Sequence, residues 1–163
     1  MTQEDKEMLF KDLSSRLPYG VKCWASYNKF PTTLVDVNAD VVGDNLFIVT
    51  VKLKKTGLNS PSLIEDIKPY LRPMSSMTEE EAKELSILCG ITDVLSIKIT
   101  DEYIDFEVDD GFSSIETKII WFNDIISSIE IFDWLNKNHF DYRNLIQMKL
   151  AIAVTKENNP YKK

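Results

Sequence analysis

Glycine, histidine and cysteine are scarce in this chain, and their scarcity excludes several kinds of site. Only five glycines occur among 163 residues, and none lies near another. Phosphate-binding loops need clustered glycines so that backbone amides can approach the phosphate, which excludes dinucleotide and P-loop chemistry. The one histidine, His139, and the two cysteines, Cys23 and Cys89, show no metal-ligand spacing. We therefore predict no metal and no cofactor.

Long apolar runs are also missing. No stretch approaches the 18 or more apolar residues of a membrane-spanning helix, so no membrane association is predicted. The first seven residues hold three acids and one base, whereas a signal peptide begins basic and then becomes apolar. Two cysteines are too few for a disulfide framework, so we expect a cytoplasmic protein with reduced thiols.

Basic residues are nearly absent from one fifth of the chain. Residues 101–133 hold ten acidic residues and one base, Lys118, although the whole chain has a net charge of only -7. The remainder is therefore close to neutral. A negative surface repels phosphate, which makes nucleic acid an unfavourable partner. This acidic region is either a solvated face or a patch that meets a basic partner.

Alternating apolar residues and helix-capping signals predict an α+β fold. We expect antiparallel sheet of about six strands with an N-terminal helix, a middle helix and two short C-terminal helices, the last over 142–148. The predicted strands are 21–27, 33–42, 46–54, 94–100, 103–108 and 115–122. Residues 1–163 form a single domain or two lobes, 1–55 and 78–154, joined by an irregular connector at 56–77 with a short helix around 64–68.

Three acids in the acidic region have the spacing of a calcium loop. Counted from Asp105, acids fall at loop positions 1, 3 and 5, which are Asp105, Glu107 and Asp109, and Glu116 falls at position 12. The glycine, however, is at position 7 instead of 6, and the apolar residues between the acids alternate as in a strand. We therefore interpret these acids as the solvent-facing side of a strand.

A second candidate binding surface lies in the aromatic stretch 133–146. Its members that suit partner recognition are Trp134, His139, Phe140, Tyr142 and Arg143, since Trp, Tyr and Arg are common at binding hot spots. The same mixed helical spacing is typical of residues that pack in a core. Both interpretations stay open at this stage.

A small basic group offers a third candidate. It comprises Lys52, Lys54, Lys55, Lys68 and Arg72. These residues could contact nucleic acid, or they could form a solvated strand edge that discourages sheet-to-sheet pairing.

Three stretches resemble a family of small proteins from gut Bacteroidales and their phages or prophage-like elements. They are LPYGVK at 17–22, IKPYLRPMSSMTEEE at 67–81 and DWLNKNHFDYRNLI at 133–146. The resemblance implies a bacterial or phage origin and no particular activity. Members often have glycine where this chain has Asn144 and again near 148–149, which predicts a different turn here.

The missing catalytic motifs and this resemblance together favour a non-catalytic protein–protein interaction module with an acidic face, and the resemblance implies that its partner is an unknown host or phage protein. A carboxylate-dependent hydrolase that uses acids from 101–124 is one alternative. A nucleic-acid accessory protein that uses the basic group is another.

Overall fold

The computed structural model describes residues 1–40, 46–53, 56–109, 111, 114–125 and 128–162. The chain is α+β, as predicted. It divides into two compact units, one formed by Met1–Arg72 with Arg143–Lys163 and the other by Pro73–Tyr142. The divisions therefore fall at 72/73 and 142/143, and the C-terminal segment belongs to the first unit.

Three α-helices and nine strands are present in the described residues. The helices are α1 (Gln3–Arg16), α2 (Glu79–Leu88) and α3 (Ile129–Lys137). The strands are β1 (Lys22–Ala25), β2 (Asn28–Asp40), β3 (Leu46–Lys52), β4 (Asn59–Leu63), β5 (Ile67–Leu71), β6 (Val94–Ile99), β7 (Tyr103–Asp109), β8 (Ile115–Trp121) and β9 (Ile152–Ala153).

The first unit packs α1 on a six-stranded sheet of order β4-β3-β2-β1-β5-β9. All neighbouring strands are antiparallel except β5 and β9, which are parallel. Thr2 and Asp5 form the capping box that begins α1, because each accepts the other's backbone N–H. Leu9 and Leu13 of α1 are fully buried in the core of this unit.

The predicted irregular connector is wrong over much of its length. It contains β4 and β5, and residues 64–66 form a 3-10 turn between these strands. Pro61 and Pro69 are the reason that the sequence did not predict β4 and β5, since proline cannot donate a ladder hydrogen bond. Pro61 lies in an edge strand, and Pro69 lies beyond the short stretch where β9 pairs with β5.

The predicted last helix over 142–148 is also wrong. This segment folds as successive turns, and Asn144 and Lys149 adopt positive φ angles of 59° and 61°. A residue in the left-handed conformation ends a right-handed helix. The apolar residues of this segment therefore do not form a helix, although their spacing is helical. Asn144 thus takes a backbone conformation that glycine adopts most readily.

The second unit contains a separate three-stranded antiparallel sheet of order β6-β7-β8. Its three strands were predicted close to their observed bounds, and α2 is the predicted middle helix. The reciprocal hydrogen bonds of Thr78 and Glu81 begin α2, and the hydroxyl of Ser128 caps α3. One face of β7 enters the core beside residues from both helices; the fully buried members are Ile104, Phe106, Ala82, Leu85, Ile131 and Leu135.

A fully buried ion pair lies within α1, between two residues four positions apart. Arg16 donates from Nε to Asp12 Oδ2 at 2.7 Å and from Nη2 to Asp12 Oδ1 at 3.0 Å. Arg143 Nε lies 3.5 Å from Asp12 Oδ1, so the same carboxylate also meets the C-terminal segment. Removing the Asp12 carboxylate takes a bidentate counter-charge away from the buried Arg16 guanidinium, which is costly.

We predict that Asp12→Asn lowers the free energy of unfolding by about 3 kcal/mol. Urea denaturation followed by circular dichroism measures this loss. The matched control is Glu65→Gln, which breaks the partly exposed Lys6–Glu65 ion pair and should cost less than about 1 kcal/mol. Equal losses in the two variants would contradict a structural role for the buried pair.

Candidate functional site

The exposed side of the three-stranded sheet carries the predicted acidic residues. Residues directly opposite each other in an antiparallel sheet share a face, and here Asp105 lies opposite Lys98 and Ile119. We call this side the outer face. Its members are Ser96 and Lys98 of β6, Tyr103, Asp105, Glu107 and Asp109 of β7, and Ile115, Thr117, Ile119 and Trp121 of β8.

The three acids of β7 form a row along the central strand. Glu107 accepts a hydrogen bond from Ser96 Oγ at 2.6 Å, and Asp109 accepts one from the Gly111 amide at 2.9 Å. Asp105 is partly buried, and its Oδ1 is screened from solvent with no hydrogen-bond partner among the described residues. Buried polar atoms normally have a partner, so this oxygen has unused capacity to accept a hydrogen bond. The acids lie on a strand, as the sequence predicted in preference to a calcium loop.

Apolar side chains lie beside the acid row, and the sequence did not predict them as members of a binding surface. Ile115 is 65% exposed, Ile119 47% and Trp121 48%. The Trp121 ring packs against Tyr103 with centroids 5.0 Å apart. The strand pattern of 115–121 was visible in the sequence, but the sequence did not show whether a further strand pairs beyond it.

Some residues of the aromatic stretch 133–146 are buried in the core, and others are partly exposed. Phe140 is fully buried and Tyr142 nearly so, and Tyr142 donates its hydroxyl hydrogen bond to Asn136 Oδ1 at 2.9 Å. Trp134 stacks on Phe140 with centroids 5.6 Å apart and donates from Nε1 to Glu84 at 3.0 Å. Phe140 and Tyr142 thus have almost no exposed surface for a partner.

The remaining two residues of that stretch have visible structural roles. His139 adopts φ of 59° just after α3, and its backbone amide donates to Asn136 O at 3.1 Å. Arg143 approaches the buried Asp12 carboxylate. These positions do not bring the five residues of the stretch onto one exposed surface.

The first unit contains a cleft of about 560 Å³ with a cationic lining. Lys22, Lys52 and Lys162 line it, with Glu157 as the acid among its lining residues. Lys52 is thus the member of the predicted basic group that contributes to the cleft. Lys54 and Lys55 lie outside the described residues, as does Asp110 of the acidic region.

Comparisons with known proteins add nothing to this geometry: no family model, no curated protein and no solved structure matches the chain. Within the described ranges, no cluster of three or more His, Cys, Asp or Glu residues could hold a metal ion. The helices that the structure describes are too short or too polar to cross a bilayer.

Neither cysteine has the surroundings of an activated nucleophile. Cys23 is fully buried, and burial raises the pKa of its thiol far above the ordinary range. Cys89 is partly exposed, and partial burial raises its thiol pKa as well. Reactive cysteines instead have lowered pKa values in electropositive surroundings.

We predict that Cys89 reacts with a thiol reagent in the native protein, whereas Cys23 reacts only after unfolding. Because the thiolate is the reactive form and the pKa of Cys89 is raised, its rate should increase with pH through a midpoint above about 8.5. A DTNB titration from pH 7 to 10 measures both properties. Cys89→Ser should abolish the native-state reaction, and a remaining fast thiol would contradict the burial of Cys23.

Proposed function

We propose that this chain is a non-catalytic interaction module that binds a basic segment of a partner protein through the outer face of its three-stranded sheet. The observation that carries the proposal is the row of Asp105, Glu107 and Asp109 beside exposed rings and aliphatic side chains.

The chemistry of the face defines the partner. Acidic side chains at every second residue of a strand recur about every 6.6 Å, which is also the spacing of alternate side chains in an extended peptide. Lysine or arginine at alternate positions would therefore match the row. Aliphatic or aromatic partner side chains would contact Ile119 and Trp121, which supply apolar area that charge pairing alone lacks.

The hydrolase alternative has weaker support. General acid–base catalysis needs carboxylates positioned at a substrate in a site that limits water. Glu107 and Asp109 are exposed on a sheet face. Such an arrangement favours surface recognition over chemistry.

The nucleic-acid alternative depends on the cationic cleft of the first unit. Three lysines and one glutamate line that cleft, whereas the acid row belongs to the other unit. Phosphate binding would use the cleft and would weaken steeply with salt. A single-stranded oligonucleotide can therefore be compared directly with a basic peptide.

We further propose that the module acts in the bacterial cytoplasm on a host or phage protein, in line with the resemblance noted above. The free thiols of Cys23 and Cys89 support a reducing compartment.

The test is fluorescence anisotropy with a labelled peptide that alternates lysine and valine. Wild-type protein should bind it, and the triple variant D105N/E107Q/D109N should bind at least about tenfold more weakly, because it removes the charges that face the lysines. A matched peptide that alternates glutamate and valine should not bind.

The control variant E7Q/E80Q/D133N removes three exposed acids from helices and changes the net charge by the same amount. Its affinity should stay within about twofold of wild type if local charge, not net charge, drives binding. Equal loss in both variants would contradict the proposed face. Binding of the oligonucleotide but not the peptide would favour the nucleic-acid alternative.

A further inference from the structure

β8 is an edge strand without the proline, the register shift or the short length that the other sheet edges have. In the described part of the chain it pairs with β7 alone. The edge strand β4 contains Pro61, the edge strand β6 has a register shift between Val94 and Ser96, and β9 is two residues long. Proline, bulges and short length all discourage edge pairing. β8 has seven residues, no proline and an unbroken register with β7.

The hydrogen-bond phase of β8 shows which backbone groups face outward. Phe122 donates its amide hydrogen to Glu102 O at 2.9 Å, and bonded pairs recur at every second residue of an antiparallel ladder. Glu116, Lys118 and Ile120 therefore direct their backbone groups toward β7. The amides and carbonyls of Ile115, Thr117 and Ile119 point toward the open edge.

The sequence along this edge is complementary to itself. Residues 115–119 read Ile-Glu-Thr-Lys-Ile, so an antiparallel copy centred on Thr117 places each Ile115 opposite Ile119 and each Glu116 opposite Lys118. The outward-facing residues then meet one another, as the hydrogen-bond phase requires. We propose that two copies of this chain associate through β8 in this register.

The charges of β8 favour a second copy over an unrelated strand. Lys118 Nζ lies 2.6 Å from Glu116 Oε1 along the strand. An apolar strand laid against this edge would meet two charges without counter-charges, which is a known deterrent to edge pairing. When a second copy pairs with this edge, Glu116 and Lys118 of the two copies form a square in which the four charges alternate in sign. A register centred on Glu116 or on Lys118 would set like charges opposite each other, so the Thr117-centred register is preferred.

The dimer would join the two outer faces into one continuous sheet surface. Cross-strand partners share a face, so both acid rows lie on the same side. The two rows are separated by three strand spacings, about 14 Å, which exceeds the Debye length of about 8 Å at physiological salt. Their mutual repulsion is therefore largely screened. The inference does not depend on the proposed function, since it uses the strand edge and not the acid row.

An interface built from one strand edge is small, so we expect a dissociation constant of about 1–100 µM. Sedimentation velocity from about 1 to 500 µM measures the association. Wild-type protein should pass from monomer to dimer over this range. E116K and K118E each turn both attractive pairs into repulsive ones and should weaken the dimer at least about tenfold.

Charge exchange supplies the decisive controls. An equimolar mixture of E116K and K118E should form a heterodimer, because every charge again meets its opposite. The double variant E116K/K118E should dimerise like wild type. T117P removes an outward amide that makes no bond to β7, so it should stay folded by circular dichroism and be monomeric.

Three results would overturn the proposal. The first is wild-type protein that stays monomeric at the highest concentration. The second is single variants that dimerise as tightly as wild type. The third is a folded double variant, or a mixture of folded single variants, that fails to associate.

Discussion

The alternation of side chains along β7 is the constraint on which the second unit depends. Ile104, Phe106 and Val108 enter the core, and Asp105 and Glu107 therefore have to face the other way. A shift of one residue in register would bury the acids and expose the apolar residues. The cost of burying carboxylates without partners makes that alternative inaccessible. The position of the acid row is thus a consequence of how the core is filled.

The same alternation determines which side chains form the exposed outer face of the three-stranded sheet. The core of the second unit gathers residues of α2 and α3 on one side of the sheet, while the outer face stays exposed. Scattered apolar residues on a surface need no explanation, but here Ile119 and Trp121 adjoin an acid row and an open strand edge. Charge, apolar area and unpaired backbone groups coincide in one place. That coincidence is the reason for proposing recognition by this sheet rather than by the buried aromatic stretch.

Local signals predicted the elements whose causes are local. The capping boxes at Thr2 and Thr78 and the alternation in β7 and β8 each depend on residues within a few positions of one another. The missed strands β4, β5 and β9 depend on tertiary pairing that overrides a proline or a length of two residues. The false last helix had apolar spacing but contains Asn144 in a left-handed conformation. The spacing of apolar residues does not reveal the backbone φ angle of a residue between them.

The candidate site, like the secondary structure, was predictable from the sequence only where its causes are local. Alternation placed Asp105, Glu107 and Asp109 on one face of a strand without any knowledge of their neighbours. The Tyr103–Trp121 ring pair joins two consecutive strands and required the register of β7 with β8. Phe140 and Tyr142 have the composition of a binding surface, yet core packing uses the same residue types. Composition cannot separate these uses, whereas burial does.

The most direct measurement is an amide-resolved NMR titration of the full chain with the peptide that alternates lysine and valine. Binding at the outer face predicts chemical-shift changes concentrated in β7 and β8, from Tyr103 to Asp109 and from Ile115 to Trp121, with α1 unaffected. Changes confined to the cleft around Lys22 and Lys52, or to residues 134–143, would contradict the account.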